Sequence, residues 1–148
     1  FYKENENDNI WSASLNASNY DAGYTVRKHV GQCCDEKGNV LLNPDSIEAL
    51  YSMIDICKEK GARPILITTP FTSEYLNGIM TDKIELYDAF YKQIGKIVDK
   101  TGVEYYDYSF DERFSSNLDY FMDVDHLNKK GAKEFTKVVL QRINKRRD

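Results

Sequence analysis

The chain has 148 residues, 20 basic and 24 acidic side chains and a net charge of −4, a balance that argues against a nucleic-acid partner, which needs a basic face. Its apolar share of 41% and charged share of 30% describe a globular chain long enough for one domain with a core. No apolar run is long enough to cross a membrane. The sequence opens on Phe1-Tyr2-Lys3 without an initiator Met, and the expectation is a piece of a longer protein. A membrane anchor could then enter only through a missing upstream segment.

Residues 1–42 read as irregular: Asn5, Asn7, Asn9, Asn16 and Asn19 make the start turn-prone, while Trp11, Leu15, Tyr20 and Tyr24 suggest a short helix and an extended arm packed on something else. Cys33, Cys34 and Cys57 are an odd number without Cys-x-x-Cys spacing, so no disulfide framework is expected. His29 lies four residues before Cys33, but vicinal cysteines chelate poorly and no metal is expected. Gly38-Asn39 marks a turn.

Residues 43–148 are regular. Asn43-Pro44 opens a helix as N-cap and first helical residue. Ile47, Leu50, Tyr51, Ile54 and Cys57 form its apolar face, and Gly61 ends it. Residues 64–70, Pro-Ile-Leu-Ile-Thr-Thr-Pro, read as a strand covered on both faces, followed by a loop over 70–75. A second helix is predicted over 82–100, with Asp82 and Glu85 as a capping box and Ile84, Tyr87, Tyr91, Ile94 and Val98 as its buried stripe. Residues 103–108 are a second strand, and a last helix over 129–145 turns Ala132, Phe135, Val139 and Ile143 to the core.

Helix, strand, helix, strand, helix in that order implies parallel strands and a three-layer α/β/α unit. Ligands in such folds bind beyond the C-terminal ends of the strands. The loops over 70–75 and 109–127 both follow such ends, and the second carries His126, one of two histidines. Asp123 stands three residues before it, so a turn brings a carboxylate onto one ring nitrogen and leaves the other to act as a base. Asp107 and Asp125 either extend that network or solvate turns.

The run Phe121-x-Asp123-x-Asp125-His126-Leu127-Asn128-x-x-Gly131-Ala132 resembles the C-terminal catalytic block of SGNH (GDSL-type) hydrolases, closest to the branch of cell-envelope acyltransferases and esterases. The resemblance covers roughly residues 39–140 and implies that His126 is the base and Asp123 its orienting partner in a Ser-His-Asp triad. It also implies a small-molecule or glycan acyl ester as substrate, no cofactor, and an extracytoplasmic or membrane-associated location. Thr69, Phe71 and Tyr75 are the candidate substrate-binding residues.

The chain departs from the family at its nucleophile. It has no Gly-Asp-Ser block and none of the later glycine and asparagine blocks that supply oxyanion donors. Two predicted strands are also fewer than a stable parallel sheet needs. The expectation is therefore a single α/β domain over 1–148 that is incomplete at its N-terminus, with the serine upstream. Ser73 and Ser109 sit on the right loops, but neither lies in a nucleophile-elbow sequence such as Gly-x-Ser-x-Gly. The alternative is a non-catalytic glycan-binding or scaffold domain that keeps the fold. In a plain flavodoxin-like interaction domain, Asp123 would instead turn to solvent, away from His126.

Overall fold

The computed structural model describes residues 21–145. Expectations for Trp11, Leu15, Tyr20 and the asparagine-rich start lie outside those residues. Among the described residues the elements are α1 (Ala22–Gln32), α2 (Pro44–Glu59), β1 (Ile65–Thr68), α3 (Ser73–Asp82), α4 (Ile84–Thr101), β2 (Glu104–Asp107), α5 (Glu112–Ser115), a 3-10 turn (Leu118–Tyr120) and α6 (Lys129–Asn144). They fall into two compact units, one comprising Gly23–Thr69 and Asn77–Tyr108, the other Pro70–Leu76 and the chain from Ser109. We call these the strand unit and the motif unit.

In the strand unit, β1 and β2 pair in parallel with Ile65 opposite Glu104 and Thr68 opposite Asp107. The bond from the Tyr108 N–H to the Thr68 carbonyl, 3.0 Å, carries the pairing one residue further. The core gathers Ile54 of α2, Ile97 of α4 and Val103, packed against Leu50, Tyr51, Leu66, Ile94 and Val98. The predicted α2 face is thus inward. Asn43 caps that helix by accepting from the Asp45 and Ser46 N–H groups. Asp35 closes the predicted turn, its carboxylate accepting from the N–H groups of Lys37 and Asn39.

The architecture is mixed α/β with a sheet of two parallel strands among the described residues. Several local expectations need correction. Residues 70–75 are not all loop, because α3 starts at Ser73 and buries Leu76 and Ile79 three residues apart. Asp82 ends that helix instead of opening the next. Lys83 holds the N-cap of α4 without a side-chain cap bond, so the capping box does not form. The inward side of α4 carries Leu86 and Ile97 beside the predicted Ile94 and Val98, which pack against the core, while the predicted Ile84 is exposed. Gly102, at φ 66°, ends α4 in the left-handed conformation that a side chain would oppose. On β1, Ile67 is 36% exposed, so this strand is not covered on both faces by the described residues.

Candidate active site

The motif unit is built around one sharp turn. Asp111 caps α5, and Asn117 caps the 3-10 turn that follows. Phe114 meets the rings of Tyr120 and Phe135, each at 5.6 Å between centroids, which gives the turn an aromatic floor. Phe121, wholly buried, then pairs with Leu127 in an isolated antiparallel bridge. The Met122 N–H donates to the His126 carbonyl at 2.9 Å and closes the loop between them.

Asn128 fixes the far end of that loop. Only 2% exposed, it accepts from the Gly131 N–H at 2.9 Å and so caps α6. Its amide nitrogen donates to the carbonyls of Asp119 and Phe121, at 2.8 and 3.2 Å. Its own backbone N–H reaches the Tyr120 carbonyl at 2.9 Å. Gly131 completes the fit, because a Cβ there would stand 2.1 Å from the Tyr120 oxygen. This crowding is steric: α6 lies too close to the preceding turn for any side chain at that position. Gly131, and not the predicted Ala132, is the buried residue of the first helical turn; Ala132 is exposed.

Within the turn, Asp123 Oδ1 accepts from the N–H groups of Asp125 and His126, at 3.1 and 2.7 Å. Both its oxygens stand 3.0 Å from His126 Nδ1. The Asp123 carboxylate therefore faces the imidazole, not solvent alone. A carboxylate only accepts, so the neutral ring that satisfies it carries its proton on Nδ1 and its lone pair on Nε2. His126 is 58% exposed at its side chain, which leaves the ring open to an incoming group. Asp125 adds a second carboxylate on the same nitrogen, 3.3 Å away and only 11% exposed. Of the two carboxylates considered as extensions of the network, Asp125 is brought to His126; Asp107 ends β2 in the strand unit.

The same three side chains each offer a ligand atom within 4.8 Å of the others. Carboxylate and imidazole suit a divalent cation, but a cation on Nδ1 would displace the proton that Asp123 accepts. Cys33 and Cys34 are free thiols, and burial pushes the Cys33 thiol up from its ordinary value, with Cys34 beside it adding to the shift.

The remaining candidates are distributed unevenly. Phe71 and Tyr75 meet at 5.3 Å between ring centroids with their planes tilted by 43°, half-buried, in the motif unit. Thr69 is exposed and belongs to the strand unit. The Ser73 hydroxyl donates to the Ser115 carbonyl at 3.2 Å, and Ser109 is 1% exposed. Neither serine is presented as a nucleophile. Sequence reasoning missed Thr72, which is wholly buried and donates to the Val124 carbonyl from its hydroxyl at 2.8 Å and its N–H at 3.1 Å. The signal available was its position, a threonine directly before a helix.

The model of the DltD protein family matches residues 28–141, a span that includes Asp123, His126 and Gly131. No curated protein and no solved structure matches the chain.

Proposed function

The chain belongs to the DltD protein family, a family involved in D-alanylation of cell-envelope teichoic acids, and from that premise we propose that it carries the base and orienting carboxylate of an SGNH-type serine esterase or O-acyltransferase. Its substrate is an acylated carbohydrate or other cell-envelope glycan. The observation that carries this reading is the Asp123 carboxylate, with both oxygens 3.0 Å from His126 Nδ1 on an exposed ring.

The chemistry follows from that geometry. A serine upstream of this chain attacks the acyl carbonyl while His126 Nε2 takes its proton, and Asp123 stabilises the imidazolium so formed. The tetrahedral intermediate collapses as His126 returns the proton to the departing alkoxide, leaving an acyl-serine. Water or a glycan hydroxyl then attacks, again with His126 as base, and the acyl group leaves as acid or as a new ester. No metal or organic cofactor enters these steps. The Phe71–Tyr75 pair offers an apolar face for a sugar ring or the acyl chain. The mixed α/β architecture with two parallel strands supports a place within a three-layer SGNH-type fold. The enzyme works outside the cytoplasm or at the membrane.

Hydrolysis of p-nitrophenyl acetate by this chain, by the full-length gene product and by full-length His126→Ala tests the assignment. Activity is expected in the full-length product alone and lost with His126→Ala. Equal, negligible rates in all three would make His126 a structural turn residue and favour a non-catalytic glycan-binding domain.

A further inference from the structure

His126 is an exposed ring, so packing around its edge does not hold it. Its direction is set from below, by Asp123 and by the backbone of residues 123–126. One carbonyl ties that backbone to the start of α3. Val124, 2% exposed, lies between the two carboxylates that face Nδ1, and its oxygen accepts both the hydroxyl and the N–H of Thr72.

Thr72 reaches it from 52 residues earlier in the chain and is itself 0% exposed. Its hydroxyl also accepts from the Tyr75 N–H at 3.3 Å, and its carbonyl accepts from the Leu76 N–H at 3.2 Å, the pattern of an N-cap on α3. One hydroxyl therefore satisfies a helix terminus with its lone pair and anchors the turn with its proton. Serine could do both. Valine, of the same shape, could do neither and would leave a buried carbonyl with one donor fewer.

We propose that Thr72 is the positioning residue of the Asp123–His126 pair, locking the Val124 peptide so that the imidazole keeps its Nδ1 on the carboxylate and its Nε2 at a fixed point. This role rests on the proposed base function of His126. A small displacement of a base costs rate more than binding, so removing the hydroxyl should lower kcat by on the order of 10–100-fold with KM little changed.

The test uses the full-length protein with Thr72→Val, Thr72→Ser and His126→Ala. Imidazole proton–nitrogen spectra are read alongside kcat and KM for p-nitrophenyl ester hydrolysis. With two histidines in the described chain, His126→Ala identifies the His126 resonances. The expected result is a wild-type Nδ1–H tautomer that mixes with the Nε2–H form in Thr72→Val, a fall in kcat in that variant, and recovery of both in Thr72→Ser. An unchanged spectrum and kcat in Thr72→Val, or failure of serine to restore them, would overturn the role. Should the valine variant not fold, the unmodified protein decides: a slowly exchanging Thr72 hydroxyl proton coupled to the Val124 carbonyl is expected, and its absence counts against the proposal. A tautomer change in Thr72→Val combined with full activity in His126→Ala would keep the positioning and discard the catalytic reading beneath it.

Discussion

Two carboxylates serve one ring nitrogen in this turn, and they differ in setting. Asp123 is 42% exposed and bonds with both oxygens, whereas Asp125 is 11% exposed and stands slightly further off. Replacing Asp123 by Asn would put a neutral amide against Nδ1, free to present its NH2 and favour the wrong tautomer. In a serine triad with a single carboxylate that change costs roughly 10⁴ in kcat. Here Asp125 remains as an acceptor, so full-length Asp123→Asn should lose less, on the order of 10²–10³, and Asp123→Asn with Asp125→Asn the rest. Single-turnover ester hydrolysis would measure both. A double variant no worse than Asp123→Asn would show that Asp125 does not share the role.

At the scale of elements, the site is a turn wedged between a 3-10 turn and the start of α6. The wedge depends on Gly131, whose absent Cβ makes room for the Tyr120 carbonyl. Backbone cannot move aside as a flexible side chain can. Gly131→Ala should therefore destabilise the protein by about 1–3 kcal/mol, the range for forced overpacking. Thermal denaturation should show a fall in Tm of about 2–4 °C for each of those kcal/mol. An unchanged Tm would mean that α6 can slide away from the turn without cost. Asn128 adds polar closure to this steric one: its buried amide caps α6 and donates to the carbonyls of Asp119 and Phe121. The long motif thus has structural content of its own, with Asn128 and Gly131 fixing the turn that carries Asp123 and His126.

For the whole molecule, stability against acid is set by carboxylates that are better held folded than unfolded. Asp111 is one of them: the Arg113 side chain donates to it, with Nε 2.8 Å from Oδ1, and lowers its carboxyl below the ordinary value. A depressed folded-state value stabilises the folded form above the unfolded value of about 3.9 and is lost as the pH falls through the lowered one. Asp111→Asn should therefore melt below wild type at neutral pH, with the gap closing as acid protonates Asp111. A gap that persists at the lowest pH would assign the effect to the cap of α5 alone. Asp35 and Glu134 are lowered too, by Asn39 and by Lys137 respectively, but both are solvated, and salt screening leaves them a smaller part.

What the sequence determined by itself was whatever short-range chemistry controls. The Asn43-Pro44 start, the Gly102 stop and the two apolar strand runs are local signals, and each appears within a residue or two of its predicted place. The Asp123–His126 contact was legible for the same reason, since a three-residue separation lets one turn make it. Tertiary structure decided what depends on distant chain. No pattern around Thr72 announces a bond to Val124, because nothing local distinguishes a helix-capping hydroxyl from one that also holds a turn 52 residues away. The helix over Ser73–Asp82 was hidden by its glycine and polar residues, which weaken periodicity until burial of Leu76 and Ile79 outweighs propensity. On α4 the predicted Ile94 and Val98 do pack against the core of Ile54 and Val103, but Ile97 is buried with them and Ile84 is exposed, because the helix's contact with distant chain, and not its own periodicity, decides where the buried stripe begins and ends.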